Sequence, residues 1–411
     1  MCLYATHMPT SLPAYQPTWL RSHLWWAVAF LPLILPAYEV RFGIGPLPTT
    51  ALEVVLGAIF ILFTIAHGKT GWITGVQRLG AFRWPILLWC VASFFAVLWS
   101  PDIVQGFGLW RAFILEPILL LFVITHEFQE PQRRGFLRLS MYALVWVMAG
   151  WGLFEYLTGL GIPSPWNVSI GEGRRATGPF PFPNALALLT APIGAYAFAR
   201  FVKAPGNALS LLTFGAALLA ALVARSDGAL VALLAVAIGL LLLEKRFRLI
   251  GVGIVTIGVI ALAAVPSVRN EVWQEVSFQS WSGQVRVWMW EETWQMLKDK
   301  PLTGAGFGGY QAVIASYHQK DFIEIFEYPH TIIFNVWSET GLLGLLAFGW
   351  ILWAWLGATY RLPPTAYEAL AVVGAIVIHG LVDVPYFKND LAVMFWILVF
   401  LTTQTQKHPN L

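Results

Sequence analysis

Long apolar stretches recur along the whole chain, and they restrict what it can fold into. Stretches of about 17–25 residues, such as HLWWAVAFLPLILPAYEV at residues 23–40, are each long enough to cross a bilayer as a helix. Only 11% of the 411 residues are charged, whereas soluble chains carry about 25%. The sequence therefore predicts an all-α, polytopic integral membrane protein.

About twelve transmembrane helices are predicted, with one large loop at residues 267–329 that carries interfacial helices. No internal repeat or low-complexity tract divides the chain, so residues 1–411 are predicted to form a single domain. The predicted spans are 23–39, 47–67, 84–100, 107–125, 138–158, 183–202, 208–224, 228–243, 248–266, 330–357, 365–382 and 389–404.

Lysine and arginine are distributed unevenly between the two sides of these spans. The short loops on one side contain only Arg41, Arg225 and Lys388. The side with more lysine and arginine is expected to face the cytoplasm, so both termini are predicted to be cytoplasmic. The loop 267–329 is then extracytoplasmic, and its basic residues do not oppose this orientation, because long loops translocate largely regardless of charge. The 14 basic residues of the cytoplasmic side are Arg21, Lys69, Arg78, Arg83, Arg133, Arg134, Arg138, Arg200, Lys203, Lys245, Arg246, Arg248, Arg361 and Lys407.

The long loop contains a predicted helix, SGQVRVWMWEETWQMLKDKP, with Ser282 as its N-cap and Pro301 as its stop. Trp288 and Trp290 within it are typical of a helix that lies in the membrane interface. Their rings are also candidates for contacts with sugars, and the two interpretations are compatible. The following segment, PLTGAGFGGY, lacks the Lys-Ser/Thr ending of a phosphate-binding loop, so we predict a tight turn.

Ionisable residues gather at the predicted outer ends of the spans. Among them are Arg111, Arg225, His330, His379 and Asp383; the last two are four residues apart and therefore share a helix face. For any one of these residues, snorkelling or a structural ion pair is the simplest explanation. Because ionisable groups within a bilayer are costly and usually functional, their gathering favours a site.

Glu339 is nine residues from His330, which places it roughly 13 Å deeper at about 1.5 Å per residue. It cannot be the direct partner of His330, so we interpret it, with His379 and Asp383, as a structural polar residue, and predict that it ties helices together. Gly341 and Gly344 are predicted to allow another helix to approach closely.

Three motifs resemble the bacterial O-antigen ligase and O-antigen polymerase superfamily of lipid-linked oligosaccharide glycosyltransferases. They are HTIIFNVWSETGLLG, RRATGPFPFPNALA and RVWMWEETWQMLKDKPLTGAGFGGY, which begin at residues 330, 174 and 286. The resemblance covers nearly the whole chain. It departs from the family at the turn RSDGA, where Asp227 occupies the place of a family arginine and Arg225 precedes the serine.

The resemblance implies a glycosyltransferase that moves a polysaccharide or oligosaccharide from an undecaprenyl diphosphate carrier to an acceptor such as the lipid A core of lipopolysaccharide. It places the active face on the extracytoplasmic side of the bacterial inner membrane. His330 and Arg286 are then expected to be catalytic, and Arg175, Arg225 and Arg286 to bind the diphosphate. The resemblance implies no metal and no cofactor; no nucleic-acid partner is expected, and the oligomeric state is left open.

These residue types suit that chemistry. Arginine holds phosphate through a planar fork and stays charged, and histidine has an ordinary pKa of about 6.5, suitable for a general base in an inverting transfer. A repeat-unit polymerase of the same superfamily is an alternative. A transporter or flippase of lipid-linked sugars is another alternative. It predicts ionisable residues spread through the midplane and paired half-helices, whereas the ionisable residues of this chain gather at the predicted outer ends of the spans.

Overall fold

The computed structural model describes residues 18–45, 47–169, 173–360 and 365–403, and within these ranges the chain is mostly helical. Arg361 and Lys407, two of the basic residues used to predict the orientation, lie outside the described residues. The helices are α1 Thr18–Phe30, α2 Ala51–Gln77, α3 Arg83–Leu98, α4 Ile103–Trp110, α5 Glu116–Glu127, α6 Pro131–Thr158, α7 Pro183–Lys203, α8 Ala208–Val223, α9 Asp227–Leu243, α10 Arg248–Ala264, α11 Pro266–Val276, α12 Trp281–Asp299, α13 Tyr310–Ile314, α14 Ile332–Thr359, α15 Thr365–His379 and α16 Asn389–Thr403.

Three short helical segments extend this set, and one of them is the 3₁₀ turn Gly80–Phe82 before α3. A 3₁₀-helix, Leu31–Glu39, continues α1, and a π-helical turn, Arg111–Leu115, joins α4 to α5. An antiparallel hairpin of strands β1 Arg41–Ile44 and β2 Leu47–Thr50 was not part of the all-α prediction. It leads directly into α2, whose N-terminus is closed by a reciprocal capping box between Thr50 and Glu53.

Each of the twelve predicted spans contains an apolar helix. By length and composition, seven helices of the described ranges could cross a membrane, or up to eight if the bent pair Arg248–Ala264 and Pro266–Asp299 is one span. Four further predicted spans contain the shorter apolar helices α8, α9, α15 and α16. The chain is a polytopic, mostly helical membrane protein, and the count of twelve and the orientation stay predictions.

The centre of the bundle is formed by α7 and α16. Every residue from Asn389 to Thr402 is buried, and α7 is buried along almost its whole length. Helix α10, in contrast, has only Gly251 buried. A helix that is apolar on all sides and exposed along its length suits contact with lipid, so α10 lies at the periphery.

The bundle has two ends, which we name by their residues. The His330 end holds the starts of α7 and α14 and the end of α15, which are joined by Asn184, His330 and Asp383. The opposite end holds the other termini of these helices. There Arg200 of α7 pairs with Glu368 of α15 at 2.7 Å, and Lys203 of α7 with Glu244 after α9 at 2.7 Å.

Helix α14 is broken at Gly341, where φ is 68°. A Cβ atom at this position would lie 2.0 Å from the carbonyl oxygen of Leu302. The Gly341 backbone therefore makes room for the glycine-rich turn at residues 301–309. The sequence had instead suggested that another helix approaches this glycine. A Cβ at Gly344, which is buried, would first meet the Thr340 side chain of the same helix.

Glu339 ties α14 to the same turn. Its buried carboxylate accepts a hydrogen bond from the backbone N–H of Gly308 and also interacts with the N–H of Tyr310, the first residue of α13, so it ties α14 to the segment that leads into α13. The Trp337 indole N–H donates to the Pro301 carbonyl at 2.7 Å. The predicted tight turn is thus present, and it packs into the break of α14.

Replacing Gly341 by Ala should destabilise the protein by at least about 2 kcal/mol. A left-handed conformation costs an L-residue about 1–2 kcal/mol, and the added methyl group would also collide with the Leu302 carbonyl. Thermal unfolding in detergent measures the effect. Gly349→Ala is the matched control, because this helical glycine has no atom within 4 Å of a new Cβ. Equal unfolding temperatures for the two variants would contradict this account.

Candidate active site at the His330 end

Asp383 lies in the turn between α15 and α16 and is buried, with 1% of its surface exposed. Its Oδ1 is 3.5 Å from Nδ1 of His330 and accepts a hydrogen bond from the Val384 N–H at 2.9 Å. Its Oδ2 accepts from the Asn184 side-chain amide at 2.8 Å. The carboxylate therefore connects the starts of α7 and α14 to the end of α15.

The His330 side chain is half-buried and lies between two aromatic rings. The ring centroids of Tyr328 and Phe326 are 4.7 and 5.4 Å from that of the imidazole. With Nδ1 facing Asp383, Nε2 is the nitrogen that remains for a substrate. Among the described residues none donates to it or accepts from it.

The backbone around His330 is strained and is held from two sides. Its φ is 44°, a left-handed value that is uncommon for a residue other than glycine. On one side the Trp290 indole N–H donates to the Pro329 carbonyl at 2.9 Å. On the other side the Thr331 hydroxyl and the Ile332 N–H both donate to the Gly380 carbonyl, at 3.2 and 2.7 Å.

Arg175 is joined to Asp383 through Asn184. Its Nη2 donates to the Asn184 side-chain carbonyl at 2.8 Å and to the Arg225 backbone carbonyl at 3.2 Å, and its Nε donates to the Ala224 carbonyl at 2.9 Å. The guanidinium also lies over the Trp166 ring, 5.1 Å from its centroid. These contacts fix one arginine beside the Asp383 carboxylate.

Arg286 approaches the Asp383 turn from α12. Its Nε donates to the Val382 carbonyl at 3.2 Å, and its Nη1 donates to the Ser282 hydroxyl at 2.6 Å. Ser282 is thus a partner of Arg286, whereas the predicted N-cap role belongs to Ser280, whose hydroxyl accepts from the Gly283 N–H. The prediction of Ser282 as the cap was wrong by two residues.

Arg225 follows α8 and, like His330, has a left-handed backbone, with φ of 50°. Its side chain is exposed, and its backbone carbonyl is one of the acceptors for Arg175. Asp227, also exposed, starts α9. The structure therefore places both residues of the RSDGA turn next to Arg175.

The electrostatics of this group favour an anion. Burial lowers the pKa of Arg175, and the guanidiniums of Arg225 and Arg286 lower it further, while Asp227 and Asp383 act in the opposite direction. Burial would raise the pKa of Asp383, but its contacts with the His330 imidazole and the other interactions outweigh burial, so that its pKa lies below the ordinary value. Asp383 is therefore ionised, and the three guanidiniums outnumber the two carboxylates of Asp227 and Asp383.

The other residues predicted for the site have different surroundings. His379 is buried beside the N-terminus of α9, where a Cβ on Gly228 would come within 2.9 Å of its ring. The Trp290 indole N–H donates to the Pro329 carbonyl. The Trp288 ring packs edge-on against Trp281, and the Lys320 ammonium lies over it. Glu339 contacts the glycine-rich turn, whereas His379 stays close to the site, because its carbonyl accepts from the Asp383 N–H at 3.1 Å.

Two residues that support the site were not predicted to do so. Asn184 bridges Arg175 and Asp383, and Glu155 of α6 accepts from the Thr177 and Gly178 N–H groups at 2.8 and 2.7 Å. Glu155 thereby holds the turn that follows Arg175. A buried acid within an apolar span is a signal for such a role, and it was available in the sequence.

A cavity of about 370 Å³ reaches Tyr328, but neither His330 nor Arg175, Arg225 and Arg286 line it. Tyr328, whose ring contacts His330, is part of its wall. Polar side chains of the wall include Glu53, Glu327, Asn335, Glu339 and Asn389. A concave space of this size with several polar groups is typical of a small-molecule or sugar site.

An apolar helical bundle with a histidine, a buried carboxylate and an arginine group at one end defines a membrane protein with a candidate transferase site. Residues 212–349 match a family model described as O-Antigen ligase. This match covers about a third of the chain and includes Arg225, Arg286 and His330, but not Arg175 or Asp383. No curated protein matches the chain.

The match confirms the resemblance to the O-antigen ligase and polymerase superfamily. It supports a membrane glycosyltransferase of the ligase or polymerase type, and that family implies lipid-linked glycan substrates in a bilayer.

Replacing Asn184 by Leu should lower the free energy of unfolding by about 1–3 kcal/mol for the buried polar group that it leaves without a partner. That group is Oδ2 of Asp383, because Nη2 of Arg175 keeps its hydrogen bond to the Arg225 carbonyl. Thermal or denaturant unfolding in detergent measures the change. Asn167→Leu, at an exposed position, is the control and should stay within about 0.5 kcal/mol of the parent. If both variants unfold alike, the bridge has no energetic role.

Proposed function

We propose that the protein transfers a polysaccharide or oligosaccharide from undecaprenyl diphosphate to an acceptor such as the lipid A core. The reaction takes place on the extracytoplasmic face of the bacterial inner membrane. The observation that carries the proposal is that Arg175 and Arg286 both lie at the Asp383 turn, which faces His330, while Arg225 is close enough to Arg175 to act on its charge. The O-antigen ligase match over residues 212–349 supports it independently.

The arginine group is suited to the diphosphate of the donor. Three guanidiniums that repel one another around Arg175 gain stability when a doubly charged anion enters. Arginine binds phosphate oxygens through paired, charge-assisted hydrogen bonds. The same contacts strengthen as negative charge accumulates on the leaving diphosphate, which stabilises the transition state.

His330 acts as the general base. Nε2 takes the proton of the acceptor hydroxyl while the oxygen attacks the anomeric carbon of the donor sugar. The bond between that carbon and the diphosphate oxygen breaks, and the diphosphate leaves with the bonding electrons. Attack from the face opposite the leaving group inverts the anomeric centre, and no metal takes part in these steps.

Asp383 is the positioning residue for this base. Its Oδ1 faces Nδ1 of His330 at 3.5 Å, which favours the tautomer that presents an unprotonated Nε2 to the acceptor. Its ionised form also stabilises the imidazolium that follows proton transfer, as in other carboxylate–histidine pairs.

Two acceptors fit this chemistry. A ligase passes the glycan to lipid A core, and a polymerase passes it to a second lipid-linked repeat. The loop of roughly 60 residues before α14 favours the ligase. Its helix α12 supplies Arg286 and holds the backbone beside His330 through Trp290, so the loop is part of the site.

His330→Ala should reduce glycan transfer by about 10²–10⁴-fold, the usual contribution of a general base. The assay supplies the purified protein with undecaprenyl diphosphate-linked glycan and either lipid A core or a second lipid-linked repeat. Product with only the first acceptor identifies a ligase, and product with only the second a polymerase. His23→Ala, which removes an exposed histidine of α1, is the control. Transfer at the parent rate by a correctly inserted His330→Ala variant would disprove the role.

Arg286→Gln and Arg175→Gln should each raise KM for the lipid-linked donor by about 10- to 100-fold, because each removes a charge-assisted hydrogen bond worth about 1.5–3 kcal/mol. KM for the acceptor should change little. Initial rates at varied donor concentration measure the effect. Arg269→Gln, at an exposed position of the same loop, is the control. An unchanged donor KM in variants that unfold at the parent temperature would argue against diphosphate binding at these arginines.

A further inference from the structure

Two histidines and a glutamate meet at the opposite end of the bundle. Nε2 of His67 and Nδ1 of His126 lie 2.8 and 2.9 Å from the same carboxylate oxygen, Oε1 of Glu127. The three ligating atoms are all within 4.8 Å of one another. The imidazole centroids are 4.3 Å apart. This group, which we call the His67 cluster, consists of His67, His126 and Glu127.

One nitrogen of the cluster lacks a hydrogen bond. Nε2 of His67 is buried and close to Oε1, but it has no hydrogen-bond partner there. A buried polar atom without a hydrogen bond costs free energy unless something else satisfies it. An ion bound among the three atoms would satisfy this nitrogen together with the carboxylate oxygen.

Helix geometry brings the three side chains together. Helix α2 is interrupted at Gly68, where φ is 59°, so its first part ends at His67. Helix α5 ends at Glu127, one residue after His126. Helix C-termini carry partial negative charge and favour cations. The C-terminal ends of the first part of α2 and of α5 both lie at the His67 cluster.

Surrounding side chains hold this geometry. Arg21 donates to the Ala66 carbonyl at 2.7 Å, and Arg78 to the Thr125 and His126 carbonyls at 3.1 and 3.2 Å. Arg133 donates to the Glu127 carbonyl at 3.0 Å and lies 3.5 Å from its second carboxylate oxygen. The Phe63 ring packs against both imidazoles. The arginines thus contact the backbone carbonyls and Oε2 of Glu127, whereas Oε1 of Glu127 faces the two histidines.

We propose that the His67 cluster binds a divalent transition-metal ion, for which Zn²⁺ is the best match. Two imidazole nitrogens and one carboxylate oxygen are a usual ligand set for Zn²⁺, with a fourth position open to water. Ligand bonds of about 2.0–2.2 Å require the three atoms to lie within about 4 Å of one another, and the observed spacing needs only a small adjustment. The partly exposed imidazoles give the ion a path from solvent.

The ion has no part in glycan transfer. His67 is 14 residues along α2 from Glu53, which hydrogen-bonds Asn389 at the His330 end. At about 1.5 Å per residue this separation is roughly 20 Å. The bound ion would join α2 to α5 and stabilise the pair of helix ends. The proposal is therefore independent of the proposed transferase activity.

The test uses the full-length protein in detergent, purified without a polyhistidine tag and stripped with a chelator. Zn²⁺ alone is titrated by calorimetry, and bound zinc is counted by elemental analysis. We expect one Zn²⁺ per chain and a rise in the unfolding temperature on its addition. His126→Ala and Glu127→Gln should weaken binding by more than the roughly 10- to 100-fold typical of outer-shell changes.

His318→Ala is the matched control, because it breaks another histidine–glutamate pair, with Glu292 at 3.1 Å in the long loop. It should bind Zn²⁺ as the parent does. Absence of stoichiometric binding by the parent protein would overturn the proposal, whatever the stability of the variants. Equal affinity of the parent, His126→Ala and Glu127→Gln would also overturn it and would leave the cluster as an ion pair only.

Discussion

The buried carboxylate of Asp383 is the interaction on which the His330 end depends. An ionised carboxylate inside a protein is very costly unless hydrogen bonds and opposite charges surround it. Asp383 obtains these partners from three helix ends, through His330, Asn184 and the turn that it occupies. The stability of the buried charge and the geometry of the candidate base are thus secured by the same contacts.

Two features near this carboxylate cost free energy and are uncommon in regions with only a structural role. In the described part of the chain, three residues other than glycine have a left-handed backbone, and two of them are His330 and Arg225. Such strain persists where the surroundings determine the conformation, and it gathers at functional sites. An excess of guanidiniums over carboxylates is a second such feature, and a bound diphosphate would relieve the repulsion among the guanidiniums.

Much of the fold was predictable, because a bilayer admits few backbone structures and apolar length marks the helices. The arginines and His330 could also be selected as candidates from the sequence, because each lies in a short segment that resembles a family motif, although these segments are far apart along the chain. The hydrogen-bond partners of the site residues could not be predicted. The Glu339 carboxylate was expected to tie helices together, and the segment that it meets, at Gly308, depends on how distant parts of the chain pack, which spacing within one helix does not report. The cap was assigned to Ser282 instead of Ser280 for a different reason, because that contact is local and the helix begins two residues earlier than predicted.

The sequence by itself determined that the chain is an apolar helical membrane protein with basic and histidine motifs of the O-antigen ligase type. These properties follow from residue type and short-range period. Only the tertiary structure decided that Asp383 faces His330, that Asn184 connects this pair to Arg175, and that His67 meets His126 and Glu127. The physical reason is that each of these contacts joins separate segments of the chain, and only packing fixes their relative depth and rotation.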